Sequence, residues 1–382
     1  MRIGNRLANA AVSDIRAMTR ACDAVGGINL GQGVCDLPTP APVAAAAHAA
    51  IDAGKATYAP PEGVPALRQA VAARLAKDYG LAVDAMSEVV VTLGATGGFA
   101  AACLALLDPG DEVILFEPYY GYHYNTVVGL GMVPVLVPLP PPAWAFDAAA
   151  LERAITPRTR AVVLCTPGNP SGKVWAEAEL DALGAVAAAH DLTVITDEIY
   201  EHIVYDGRRH VPLATRPGMR ERTVTISGCS KTFSVTGWRV GYAVAPAHAA
   251  QRIAVAHDLL YVCAPTPLQH ACAAGLAMPD AYFRDLSASY QRKRDILCGA
   301  LADAGLKPYV PAGAYYVLAD AGRFETATAR EAAFALLERA GIASVSGASF
   351  YRGPVGETLL RFCFAKDDEV LVEAARRLRA MG

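Results

Sequence analysis

Seven short apolar runs recur between Glu88 and Pro246: EVVVTLG, DEVILFEP, MVPVLVPL, RAVVLCTP, LTVITDEIY, RTVTISGCS and WRVGYAVAP. Continuous apolar runs of this length suit strands covered on both faces, as in parallel or mixed sheets. Helical patterns such as AAACLALL and AELDALGAVAAAH separate several of them. That alternation predicts a wound α/β body built on one large, mostly parallel, seven-stranded sheet flanked by helices.

Beyond Met278 the pattern changes. A long amphipathic stretch, YFRDLSASYQRKRDILCGALADAG, leads to strand-like segments at YYVLAD, IASVSG and TLLRFCFA, with helical patterns between and after them. This predicts a smaller α+β domain. The expected division is 1–45 for an N-terminal arm and part of the small domain, 46–277 for the large domain, and 278–382 for the small C-terminal domain. The proline-rich VPLPPPAWAFD segment is short enough to be a loop.

Composition narrows the partners. Net charge is −3 with both signs interspersed, and no basic stripe is present, so a nucleic-acid partner is not expected. No apolar run reaches the ~18–20 residues that span a bilayer, and the first residues lack the apolar core of a secretory signal. The 9 cysteines are scattered without metal-ligand spacing, which fits a reducing cytoplasm. The expectation is a cytoplasmic protein with no membrane partner and no metal.

One lysine stands apart. In SGCSKTFSVTGWRVGY, Lys231 sits alone among small, hydroxyl-bearing and apolar residues, and Arg239 follows eight positions later. Lysine usually lies on solvated faces beside other charges. Two glycine-rich segments also follow strands. TLGATGGF opens a helix, which suits an anion at a helix N-terminus, but it is not the GxGxxG of dinucleotide sites. TPGNPSGKV has one residue too few between glycines to be a P-loop, and valine stands where Ser/Thr must bind magnesium. The strand LTVITDEIY ends in Asp197, with Tyr200 three residues on; strand ends of wound sheets collect ligands, and an acid there also serves as a helix cap. A phosphate cradle, a strand-end carboxylate, a secluded amine and an arginine together meet the needs of pyridoxal phosphate. Its aldehyde takes an amine, its phosphate takes donors, and its ring nitrogen takes an anion.

SK-x7-R, NPSGKV and DEIY in one chain, in this order and spacing, resemble the class I/II, fold-type I aminotransferases that use pyridoxal 5'-phosphate. The likeness runs from NLGQGVCDLPTP to RFCFAKDDE, and those two ends look most like the kynurenine/glutamine transaminase branch. It implies that Lys231 bonds the cofactor's aldehyde and later moves the Cα proton, the amine being activated by its low-charge setting. It further implies Asp197 at the ring nitrogen, Tyr200 and Asn169 at the 3′-oxygen, and Tyr120 stacked on the ring. Arg239, with Ala95 and Thr96, would hold the phosphate. Arg361 would bind the substrate α-carboxylate bidentately, with Gly33 close beside the substrate. Tyr58 would reach the phosphate of a neighbouring subunit, making a homodimer with a shared active site. The Asn169–Pro170 bond is often cis in relatives.

One position departs from the family. Relatives usually carry a phosphate-binding serine three residues before the lysine; here that place is Gly228, so the cofactor's phosphate is expected to be bound by Ser230 or Ser227 on either side, or to have one donor fewer. The expected reaction is transfer of an amino group from an L-amino acid, neutral or aromatic favoured, to a 2-oxo acid. The same scaffold also supports C–S lyases and amino-acid oxidases or hydroxylases. Dicarboxylate donors would need a second cation, for which Arg16, Arg20, Lys173 and Arg352 are available. His202 and His210 read as part of a polar loop, and His123, near Tyr120, as a candidate for the pocket wall.

Overall fold

The computed structural model of the chain describes Leu7 and residues 15–381; residues 1–6 and 8–14, which begin the expected arm, lie outside the described residues. Each of the seven apolar runs forms a strand of one sheet: β1 (Val89–Leu93), β2 (Glu112–Glu117), β3 (Val133–Pro138), β4 (Thr159–Cys165), β5 (Thr193–Asp197), β6 (Thr223–Gly228) and β7 (Val240–Val244). Their order across the sheet is β1-β7-β6-β5-β4-β2-β3. All neighbours are parallel except β7, which runs against both β1 and β6. The central strands are buried almost throughout, which is why they read as unbroken apolar runs.

This topology gathers four chain segments at one edge. Cys165, Asp197 and Ile226 are in register at the carboxyl ends of β4, β5 and β6. Because β7 is reversed, its start meets the ends of its neighbours: Val240 pairs with Leu93, and Gly241 with Gly228. The segment after β6, the segment before β7, and helix α1 (Gly94–Leu106) therefore emerge together. Glycines permit the approach. A Cβ on Gly241 would lie 2.6 Å from the carbonyl carbon of Gly94, and one on Gly228 would lie 2.8 Å from the Cα of Gly241. Position 228 thus has no room for the serine that relatives carry.

A second, antiparallel sheet has the order β10-β11-β9-β8, with β8 (Lys307–Tyr309), β9 (Tyr316–Asp320), β10 (Val345–Ser346) and β11 (Leu359–Cys363). Helix α2 (Asp280–Asp303) packs beside it and against the last helix, Asp368–Ala380. Leu297, Leu301, Tyr290 and Phe362 are fully buried between these elements, and each such side chain contributes roughly 1.5–3 kcal/mol of transfer free energy. Ile28–Asn29 pairs in parallel with Ile342–Ala343, so the chain start joins this second layer. No described helix is long and apolar enough to cross a membrane.

Candidate active site

At the shared strand edge lies a cleft of ≈ 510 Å³ whose wall includes Ala95, Thr96, Tyr120, Asn169, Asp197, Tyr200, Ser230, Lys231 and Arg239. The residues singled out from five distant motifs therefore converge.

Lys231 follows β6 in the short helix Cys229–Thr232. Burial pushes its amine below the usual lysine value; the thiols of Cys363 and Cys35 oppose that shift and the charge of Arg239 adds to it. Its Nζ lies 5.7 Å from the centre of the Tyr315 ring. An amine that loses its proton more readily is a better nucleophile.

Asp197, the last residue of β5, is buried, and its carboxylate is fixed from two sides. His123 Nε2 lies 3.0 Å from Oδ2, and the Ile199 N–H donates to Oδ1 at 3.3 Å. His123 packs edge-on to Tyr120 at 5.1 Å between ring centres and lies 4.4 Å from the Phe99 ring. The imidazole thus braces the carboxylate beneath the aromatic wall. Tyr119 is a core residue stacked on Tyr124, which leaves Tyr120 as the tyrosine of that pair in the cleft. Tyr200 is buried with its hydroxyl 3.5 Å from that of Tyr316, and burial holds its pKa well above the ordinary phenol value.

The anion end is built from α1 and Arg239. The first N–H groups of a helix lack intrahelical partners, and Ala95 and Thr96 stand there. Arg239 has φ +56°, a left-handed conformation that costs a non-glycine residue roughly 1–3 kcal/mol. Its Nη2 donates to Thr96 Oγ1 at 3.1 Å and its Nη1 to the Thr236 carbonyl at 3.0 Å. A Cβ on Gly94 would meet Nη2 at 2.5 Å, so glycine is what lets the guanidinium lie against the helix start. Ser230 lines the cleft. Ser227 does not: its hydroxyl donates to Glu201 Oε1 at 2.7 Å and lies 3.3 Å from the Glu198 carbonyl. The geometry thus favours Ser230 over Ser227 as the hydroxyl donor near Gly228.

Arg361, on β11, is buried against the rings of Tyr316 and Phe350, 4.2 and 4.7 Å from their centres. Its Nη1 donates to Asn169 Oδ1 at 3.0 Å and its Nη2 to the Gly31 carbonyl at 2.8 Å, while its Nε has no partner among the described residues. A buried, unpaired donor on a charged group costs about 1–3 kcal/mol or more, a deficit that a carboxylate ligand would remove. A Cβ on Gly33 would fall 1.9 Å from the Tyr316 hydroxyl, so any side chain there would close this end. The Asn169–Pro170 bond is cis.

Other singled-out residues lie elsewhere. Tyr58 is 83% exposed and contributes nothing to this chain's own cleft. Arg16, Arg20 and Arg352 are exposed, and Lys173 is paired with Glu179 at 2.6 Å. His210 is not in a solvated loop: it is buried, with Nε2 2.7 Å from Glu198 Oε2. His202 is half-buried against Phe283. Sequence reasoning missed the His123–Asp197 contact, for which the nearness of His123 to Tyr120 was the one available signal.

The donor set fits pyridoxal phosphate. It offers an amine made more nucleophilic by burial, a fixed carboxylate, and a helix start with a guanidinium and hydroxyls for a phosphate. The family described as aminotransferase class I and II matches residues 25–378. A probable N-succinyldiaminopimelate aminotransferase, DapC, of Mycobacterium tuberculosis is 39% identical across 99% of this chain and 98% of its own. Kynurenine–oxoglutarate transaminase 1 of Homo sapiens is 33% identical, covering 92% of each. A solved Escherichia coli structure, reported to identify a methionine aminotransferase function, superposes with a TM-score of 0.96 at 35% identity, covering 100% of both chains.

Proposed function

The chain belongs to the class I and II aminotransferases, which depend on pyridoxal phosphate, and on that premise we propose that it takes nitrogen from neutral or aromatic L-amino acids and passes it to a 2-oxo acid in a site shared by two subunits. Bound, pyridoxal phosphate supplies an aldehyde that accepts the amine and a cationic ring that absorbs the electron pair left at Cα.

The chain's own residues do the rest. Lys231 would be the cofactor's covalent anchor and, as a free amine, the base for the proton on substrate Cα. Asp197 would keep the ring nitrogen protonated, with His123 keeping Asp197 in place. Tyr200 and Asn169 would hold the 3′-oxygen, and Ala95, Thr96, Ser230 and Arg239 the phosphate. Arg361 orients the donor through its α-carboxylate, assisted by Asn169 and by the space left at Gly33. Closely packed rings around that carboxylate site exclude water and strengthen each charged contact.

The observation that carries this reading is the buried Arg361 guanidinium with an unpartnered Nε, bonded to Asn169, which lines the same cleft as Lys231. The donor preference rests on Tyr120, Tyr316 and Phe350, and on the placement of the spare cations. Lys173 is neutralised by Glu179, and Arg16, Arg20 and Arg352 are solvated. The shared site is supported by exposed Tyr58 and by Leu259 and Val262, also exposed. The cysteines are free thiols, which supports work in the reducing cytoplasm. A donor screen with methionine, kynurenine, phenylalanine, aspartate and N-succinyldiaminopimelate against three 2-oxo acids tests the proposal. Neutral and aromatic donors should lead; a strict preference for aspartate or the succinylated donor would overturn it.

A further inference from the structure

The turn Asp197–Glu201 has two sides. Asp197 and Tyr200 line the cleft. Glu198 and Glu201 are buried in a separate polar cluster, and among the described residues neither carboxylate has an arginine or lysine partner. Glu201 instead accepts three hydroxyl bonds: Ser227 at 2.7 Å and Tyr242 at 2.9 Å on Oε1, and Tyr79 at 2.9 Å on Oε2. Glu198 is held by His210. A buried charge is expensive unless hydrogen-bonded, so the cluster needs a reason to exist.

The donors supply one. Ser227 and Tyr242 face each other across the antiparallel β6–β7 pair. Ser227 lies four residues before Lys231, and Tyr242 three after Arg239. One carboxylate oxygen therefore joins the turn bearing Asp197 and Tyr200 to the strand leading to Lys231 and to the strand following Arg239. Burial raises the Glu201 carboxyl, but the charges of His202 and His210, with the hydroxyl bonds, outweigh it and leave the pKa below the usual value. The group is an anion able to hold all three donors. With Gly228 lacking a side chain, the Ser227 hydroxyl is the one from that strand end engaged in this tie.

We propose that Glu201 is a positioning residue: its carboxylate locks the turn after β5 to β6 and β7, so that Asp197, Lys231 and Arg239 keep one fixed spacing for the cofactor. This rests on the site assigned above and adds a group that touches neither cofactor nor substrate. Its removal acts through cofactor geometry and leaves the Arg361 carboxylate site intact.

The test uses purified holoenzyme of wild type, Tyr242→Phe, Ser227→Ala and a matched control, Thr159→Val. Thr159 also gives a hydroxyl bond to a buried carboxylate, Glu112, but at the opposite end of the strands. Each variant loses a hydroxyl bond to a carboxylate, and Thr159→Val also the one its hydroxyl accepts from the Thr156 N–H, so all three should melt lower than wild type. Tyr242→Phe and Ser227→Ala should also bind pyridoxal phosphate about tenfold more weakly, a loss equal to one charge-assisted bond. They should shift the visible cofactor band and lower kcat, with the donor KM within twofold of wild type; Thr159→Val should keep the wild-type Kd and band. Tyr242→Phe with unchanged cofactor Kd, or a Thr159→Val control that weakens it equally, overturns the positioning role alone. A wild-type chain that takes up no pyridoxal phosphate overturns the site itself and this inference with it.

Discussion

His123 Nε2 lies 3.0 Å from Asp197 Oδ2, with both side chains buried and the imidazole wedged between the rings of Phe99 and Tyr120. An ionised Asp197 requires that nitrogen to donate, which selects the Nε2–H tautomer. His123→Phe fills the space but removes the donor. We expect kcat to fall by about tenfold, the cost of one bond to a charged group, with the donor KM nearly unchanged. Steady-state kinetics on the two parameters check it.

Arg361→Ala should raise KM for every amino donor by about two orders of magnitude, because the proposed bidentate carboxylate contact would be common to all of them. Arg361→Lys should recover only part of it, since an ammonium lacks the planar fork. A donor-dependent effect would assign Arg361 to side-chain recognition.

Lys231 has a sign that stability can read. Its folded pKa is lowered from 10.5, chiefly by burial, so the cofactor-free folded state carries a penalty for the charged amine. That penalty is full below the folded pKa and disappears as pH rises through 10.5. Cofactor-free Lys231→Met should therefore melt higher than cofactor-free wild type near neutrality, and the gap should close toward alkaline pH. Calorimetric scans across that range measure it.

His210 has the opposite sign. Burial lowers its pKa, but the Glu198 charge and hydrogen bond outweigh that and raise it above 6.5. The pair's contribution is complete below 6.5 and is lost as pH rises through the raised value. His210→Gln should flatten that part of the melting-temperature profile.

Tyr58 is exposed in the single chain, and the carbonyl of its neighbour Thr57 accepts from Thr266 Oγ1 at 2.6 Å. Sedimentation should give a dimer, and Tyr58→Ala should weaken pyridoxal phosphate binding by about tenfold or more, each lost charge-assisted contact counting for about 1.5–3 kcal/mol. A monomer with full cofactor affinity would contradict the shared site.

The large sheet was legible because strands buried on both faces leave no polar positions to blur the run. Lys307–Tyr309 and Ile28–Asn29 were not, being two or three residues long, the former with a proline inside. In the site, motif order pointed to the residues that converge on the cleft. It could not assign Ser227 and Ser230 to different surroundings, because that depends on how the chain turns after β6. Nor could it find the contacts of His123 with Asp197 and of His210 with Glu198, which the fold makes across 74 and 12 residues. The polar look of YDGRRHVP concealed a buried histidine whose partner arrives from the end of β5.

The most direct measurement is borohydride reduction of the holoenzyme followed by peptide mass mapping. Pyridoxal phosphate should be fixed on a single peptide, the one containing Lys231, and Lys231→Ala should abolish the adduct. An adduct on Lys173, Lys366 or any other lysine, or none in the wild type, would overturn the role of Lys231.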